Sequence, residues 1–79
     1  MKRRGYAPAY EKLATILREE RLRAGLTQAA LAAKLGRPQS FVAKYEAGER
    51  QLDVVEFVLV TRAIGCQGAF ALRQIERLL

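Results

Sequence analysis

The sequence predicts an all-α domain of five short helices, and three observations carry that expectation. Apolar residues recur three and four apart, and no stretch sustains the period-two alternation of a half-buried strand. Gly25, Gly36, Gly48 and Gly65 each close such a run, where helices commonly end on a left-handed residue. Thr27 and Asp53 each stand just ahead of a run, and their side-chain oxygens are suited to cap a helix start.

The first helix is "PAYEKLATILREERLRAG", with Leu13, Ile16, Leu17 and Arg21 at helical spacing. It begins near Pro8 and stops at Gly25. Next comes "LTQAALAAKLG". Thr27 caps it, Leu31 and Leu35 lie four apart, and four alanines favour the helix and permit close packing. The third helix is expected from Pro38 to Ala47. Proline suits a first helical position, because its missing N–H would have gone unpaired there. Val42 and Tyr45, three apart, should face Leu31 and Leu35. In the fourth, Asp53 and Glu56 form an Asp variant of the capping box, and Gly65 ends it. The last, "GAFALRQIERLL", sets Ala71, Leu72, Ile75, Leu78 and Leu79 on one apolar stripe.

With 79 residues the chain is one domain with a small core, which buries only about 60 % of its unfolded surface. The sequence has no histidine, which removes the commonest metal ligand and neutral-pH proton shuttle, so neither metal nor cofactor is expected. Cys66 is the one cysteine and reads as a small buried apolar group in a reducing cytoplasm. Paired carboxylates in an apolar setting and a phosphate loop are missing, which argues against an enzyme. No run approaches a membrane span, and "MKRR" lacks the apolar region of a secretion signal. Residues 1–7 read as a flexible basic tail and residues 8–79 as the folded domain.

The formal charge is +6, and all of it lies in one half of the chain. Residues 1–50 hold 11 Lys and Arg against 5 Asp and Glu, whereas residues 51–79 hold 3 against 3. Such asymmetry points to one half facing a polyanion and the other doing different work.

Two short helices around "LGRP", the second with polar residues at its start, have the layout of a helix-turn-helix. The stretch "GLTQAALAAKLGRPQSFVAKYEAGER" resembles the phage-repressor and Cro-like (XRE-type) helix-turn-helix proteins. The likeness runs from about Leu13 to Cys66. It implies a compact lambda-repressor-like domain that binds double-stranded DNA as a transcriptional regulator, cytoplasmic in a prokaryote or phage-encoded. It further implies that the third helix enters the major groove, where each base pair shows its own donor and acceptor pattern. Gln39, Ser40 and Lys44 are then the expected base contacts. Thr27, Gln28, Arg37 and Arg50 are the expected phosphate contacts, Gln28 at a helix N-terminus that attracts anions. Arg21 and Glu46 match family positions that form a largely buried ion pair. Phe41 has two readings: packing on the first helix pair, or pressing on a thymine methyl.

The sequence departs from the family pattern at two positions. Ala47 replaces a frequent asparagine, and Leu59 replaces a residue that is usually polar. With Val55, Val58 and Val60, Leu59 makes the fourth helix apolar nearly all round, which requires burial on more than one side. A homodimer through Val55, Leu59, Ile75, Leu78 and Leu79 is therefore expected, on a palindromic operator. Closure of the monomer core by these same residues is the competing expectation. No separate ligand-sensing domain is expected, so phage repressors, restriction–modification controllers and antitoxin-like regulators remain open. A protein-interaction adaptor on the same scaffold is the reading from another class.

Overall fold

The computed structural model describes residues 5–79, so the MKRR tail lies outside the described residues. Among those described there are five helices and no strand: α1 (Ala7–Arg23), α2 (Gln28–Leu35), α3 (Gln39–Glu46), α4 (Val54–Ile64) and α5 (Gly68–Glu76). Local chemistry sets most of their ends. Thr27 Oγ1 accepts from the Ala30 amide at 3.0 Å and starts α2. Asp53 Oδ1 accepts from the Glu56 amide at 2.7 Å, and Glu56 Oε1 accepts from the Asp53 amide at 3.1 Å. That reciprocal pair is the capping box that starts α4.

At the end of α1, Gly25 takes a φ of 75°, which lets the Leu26 amide turn back to the Arg21 carbonyl. Gly48, with φ 78°, does the same after α3, where the Glu49 amide reaches the Lys44 carbonyl.

Three boundaries differ from the sequence expectation. Ala47 is the C-cap of α3, whose last helical residue is Glu46. Pro38 is the N-cap of α3 rather than its first residue, because its ψ of 153° is extended although its φ of −64° suits a helix. The last helix stops at Glu76, short of Leu78 and Leu79. Beyond it the amides of Leu78 and Leu79 turn tightly back to the carbonyls of Ile75 and Glu76, and the apolar stripe does not continue on a helix.

Among the described residues the core is a single cluster. Leu17, Leu31, Val42 and Val60 are its fully buried large side chains, joined by Ile16, Phe41, Tyr45, Phe57, Ile64 and Ala71. Each large one contributes roughly 1.5–3 kcal/mol by leaving water. Helix α2 packs on α3 and α4, while α5 packs chiefly on α1. Gly68 lets α5 approach closely: a Cβ there would lie 3.0 Å from the Phe57 ring. Ala71 is buried and Ile75 is half-buried against the core, so the monomer itself uses Ile75.

Candidate nucleic-acid interface

Helix α3 divides along its length. Phe41, Val42 and Tyr45 point into the core, which fixes the helix on its support. Gln39, Ser40 and Lys44 are left on the solvent side. Phe41, with two readings in sequence, is only 6 % exposed and stacks edge-to-face on Tyr45 with ring centroids 5.5 Å apart. It is a core residue and not a surface apolar contact.

Behind the polar end of α3 lies a chain of hydrogen bonds. Arg21 is 6 % exposed, and its Nε and Nη2 donate to the two oxygens of Glu46 at 2.7 and 3.0 Å. Its Nη1 donates to the Leu26 carbonyl at 2.7 Å. Hydrogen bonding to Glu46 raises the Arg21 pKa against the opposing effect of burial. The pair joins α1 to α3.

Glu46 Oε1 also accepts from Gln28 Nε2 at 3.0 Å, and Gln28 Oε1 accepts from Gln39 Nε2 at 3.4 Å. A carboxylate can only accept, so it turns the amide of Gln28 toward itself and leaves the carbonyl for Gln39. Gln39 then keeps its own carbonyl and a second N–H for another partner. One donor beside one acceptor is the pattern that pairs with the adenine edge in the major groove.

A second cluster lies across Phe41. Arg50 donates through Nη1 and Nη2 to the two Glu56 oxygens at 2.9 and 2.8 Å, and Arg37 Nη1 stands 3.6 Å from Glu56 Oε2. Both guanidinium groups lie over the Phe41 ring, Arg37 at 4.1 Å and Arg50 at 4.9 Å from its centroid. The hydrogen bonds from Arg50, and then that from the Asp53 amide, hold the Glu56 carboxyl down at about 2. Sequence reasoning identified Arg37, Arg50 and the cap at Glu56 separately. It missed that one carboxylate serves all three, because neither arginine shares a helix with Glu56.

Among the described residues no group of His, Cys, Asp and Glu is placed to hold a metal ion, and no helix is long and apolar enough to cross a membrane. Cys66 is half-buried, and that burial pushes its thiol pKa up, away from thiolate chemistry.

A helix-turn-helix family profile matches residues 17–70, which spans α2, α3 and the clusters just described. The chain belongs to the XRE-type helix-turn-helix family. An XRE-family like protein from Pseudomonas syringae pv. tomato str. DC3000 is 48 % identical, over 90 % of this chain and 87 % of that one, with a TM-score of 0.83. The restriction-modification controller protein C.AhdI from Aeromonas hydrophila is 29 % identical, over 78 % of this chain and 94 % of its own, with a TM-score of 0.73. A second restriction-modification controller is 18 % identical with a TM-score of 0.77, over 89 % of this chain and 92 % of its own, and bears on the fold alone. No curated protein matches the chain. As an XRE-type helix-turn-helix protein, the chain is a DNA-binding transcriptional regulator.

Proposed function

We propose that the chain binds a palindromic operator as a homodimer and represses or controls transcription there. The observation that carries this reading is the division of α3: Gln39 and Ser40 stand exposed at its start while Phe41, Val42 and Tyr45 anchor it from behind. Gln39, Ser40 and Lys44 contact base edges. Thr27, Gln28, Arg37 and Arg50 contact phosphates on either side, and Gln28 also holds Gln39 in register through the bond they share.

The second part of the reading rests on α4. Its inner residues Phe57, Val60 and Ile64 are buried, yet Val55 is 67 % and Leu59 50 % exposed, and Val58 beside Val55 is exposed too. Leu78 and Leu79 are exposed as well. A second copy of the chain covers Val55 and Leu59 by two-fold pairing, the commonest way to bury such a patch. Ile75 contributes less to that surface than its sequence position implies, since it is already packed on the core. Two copies place their reading helices in half-sites about 34 Å apart, one turn of DNA. The likeness to C.AhdI supports a restriction–modification controller among the small autonomous regulators. Such a regulator works in a prokaryotic cytoplasm, where its DNA is.

Selection of bound duplexes from a random pool tests the whole reading. A recovered palindrome, bound with an affinity that falls steeply with salt as counterions are released, is the expected result. Failure to enrich any sequence, with no salt-dependent binding, favours the protein-interaction adaptor instead.

A further inference from the structure

We infer that Glu56 is a positioning residue for DNA binding, which holds Arg37 and Arg50 together as one two-guanidinium seat for a backbone phosphate. The inference rests on the proposed reading of the chain as an operator-binding protein and goes beyond it by assigning α4 a part in DNA contact. Arg37 lies in the turn before α3 and Arg50 in the segment after it, so they enter from opposite ends of the reading helix. Two guanidinium groups repel when brought together. Here both point to the same oxygen, Glu56 Oε2, at 3.6 and 2.8 Å, and both rest on the ring of Phe41. The carboxylate and the ring face supply the negative potential that lets the two cations stay adjacent.

Glu56 is itself fixed. Its Oε1 accepts from the Asp53 amide, and its side chain is only 14 % exposed. The seat is therefore held by a helix cap that is part of the fold, and the arginines are ordered before DNA arrives. After its bonds to Glu56 and the Gln51 carbonyl, Arg50 keeps its Nε–H and one Nη2 hydrogen. Arg37 has further N–H groups, and its side chain is 43 % exposed. One net positive charge remains across the three groups. That arrangement fits a single phosphate received between two forks, with its orientation set by the carboxylate behind them.

The sign of one measurement separates this role from that of an ordinary surface charge. Glu56→Gln removes a negative charge, so a carboxylate that merely repels DNA would bind more tightly once neutralised. A positioning carboxylate gives the opposite: binding weaker by about five- to tenfold, equally on the selected operator and on random duplex, despite the added positive charge. The glutamine carbonyl can still accept from the Asp53 amide, so the helix cap has a substitute. Thermal melting checks that the fold survives. In an Arg37→Ala/Arg50→Ala background, Glu56→Gln should change affinity by less than twofold, because the groups it positions are gone.

A second measurement uses the unaltered protein. The side-chain Nε–H signals of Arg37 and Arg50 should both shift over the same range of added operator duplex. Tighter or unchanged binding by Glu56→Gln overturns the inference while leaving the operator reading intact. So do arginine signals that stay unmoved while the intact protein binds. An intact protein that binds no duplex overturns the operator reading and this inference with it.

Discussion

Replacing Glu46 by alanine should remove a large part of the stability of this domain. Glu46 accepts three hydrogen bonds, two from Arg21 and one from Gln28, and its side chain is 4 % exposed against 7 % for Arg21. After the substitution the Arg21 guanidinium stays buried with only the Leu26 carbonyl as acceptor among the described residues. Stranding one partner of a buried pair costs about 3–5 kcal/mol. A domain of 79 residues has a total stability of about 4–12 kcal/mol at typical per-residue values, so much of it is at stake. The melting temperature should fall by about 12 °C or more. Urea unfolding followed by far-ultraviolet circular dichroism, at one protein concentration throughout, measures the loss. The double substitution Arg21→Met with Glu46→Leu replaces both charges by apolar groups and should recover most of it, since a buried pair itself is close to neutral against apolar replacements. If Glu46→Ala costs less than about 1 kcal/mol, or the double variant is as unstable as the single one, the buried pair is not what joins α1 to α3.

The other expectations concern a buried hydroxyl, acid, sequence reading and assembly. The Tyr45 hydroxyl is buried without a hydrogen-bond partner among the described residues, and burial raises its pKa. Tyr45→Phe should therefore be neutral or stabilising by about 1 kcal/mol in urea unfolding, and a loss above that magnitude would show an unrecognised partner. Glu56 is held at about 2, below its ordinary 4.5, so its contribution is whole above that ordinary value and lost as pH falls toward about 2. Stability measured against pH should converge with that of Glu56→Gln through this window; a gap independent of pH contradicts the pairing. Gln39→Ala should cost about 1–3 kcal/mol on the selected operator and relax preference at one base pair, whereas Gln28→Ala should weaken binding to all duplexes and, by releasing Gln39, loosen preference at that same base pair as well. Unchanged sequence preference for Gln39→Ala would remove α3 as the reading helix. Sedimentation at micromolar concentration should find a dimer for the intact chain and a helical monomer for Leu59→Glu; an intact chain monomeric both free and on DNA refutes the dimer.

The five helices were legible because what starts and stops them is local. The oxygens of Thr27 and Asp53 meet amides three residues on, and Gly36 and Gly65 take the left-handed turn without help from elsewhere. Two of the misplaced boundaries show the limit of that logic. Proline fixes φ at a value shared by helix and extended chain, so only ψ places Pro38 outside α3. Apolar spacing carried the last stripe through Leu79, but spacing does not register which carbonyl each amide reaches after Glu76.

The candidate interface divides in the same way. Sequence alone placed Gln39, Ser40 and Lys44 on a short helix behind a turn, paired Arg21 with Glu46 through the family resemblance, and marked Leu59 as anomalous. Only the packing of α3 against α1 and α2 turned Phe41 inward and linked Gln39 through Gln28 to a buried carboxylate. The closing of α4 onto α2 then brought Glu56 to Arg37 and Arg50. Caps and helical periodicity depend on neighbours within one turn, so the residue order determines them. Which charges share an oxygen depends on how separate helices pack, and that is settled only when the whole core closes.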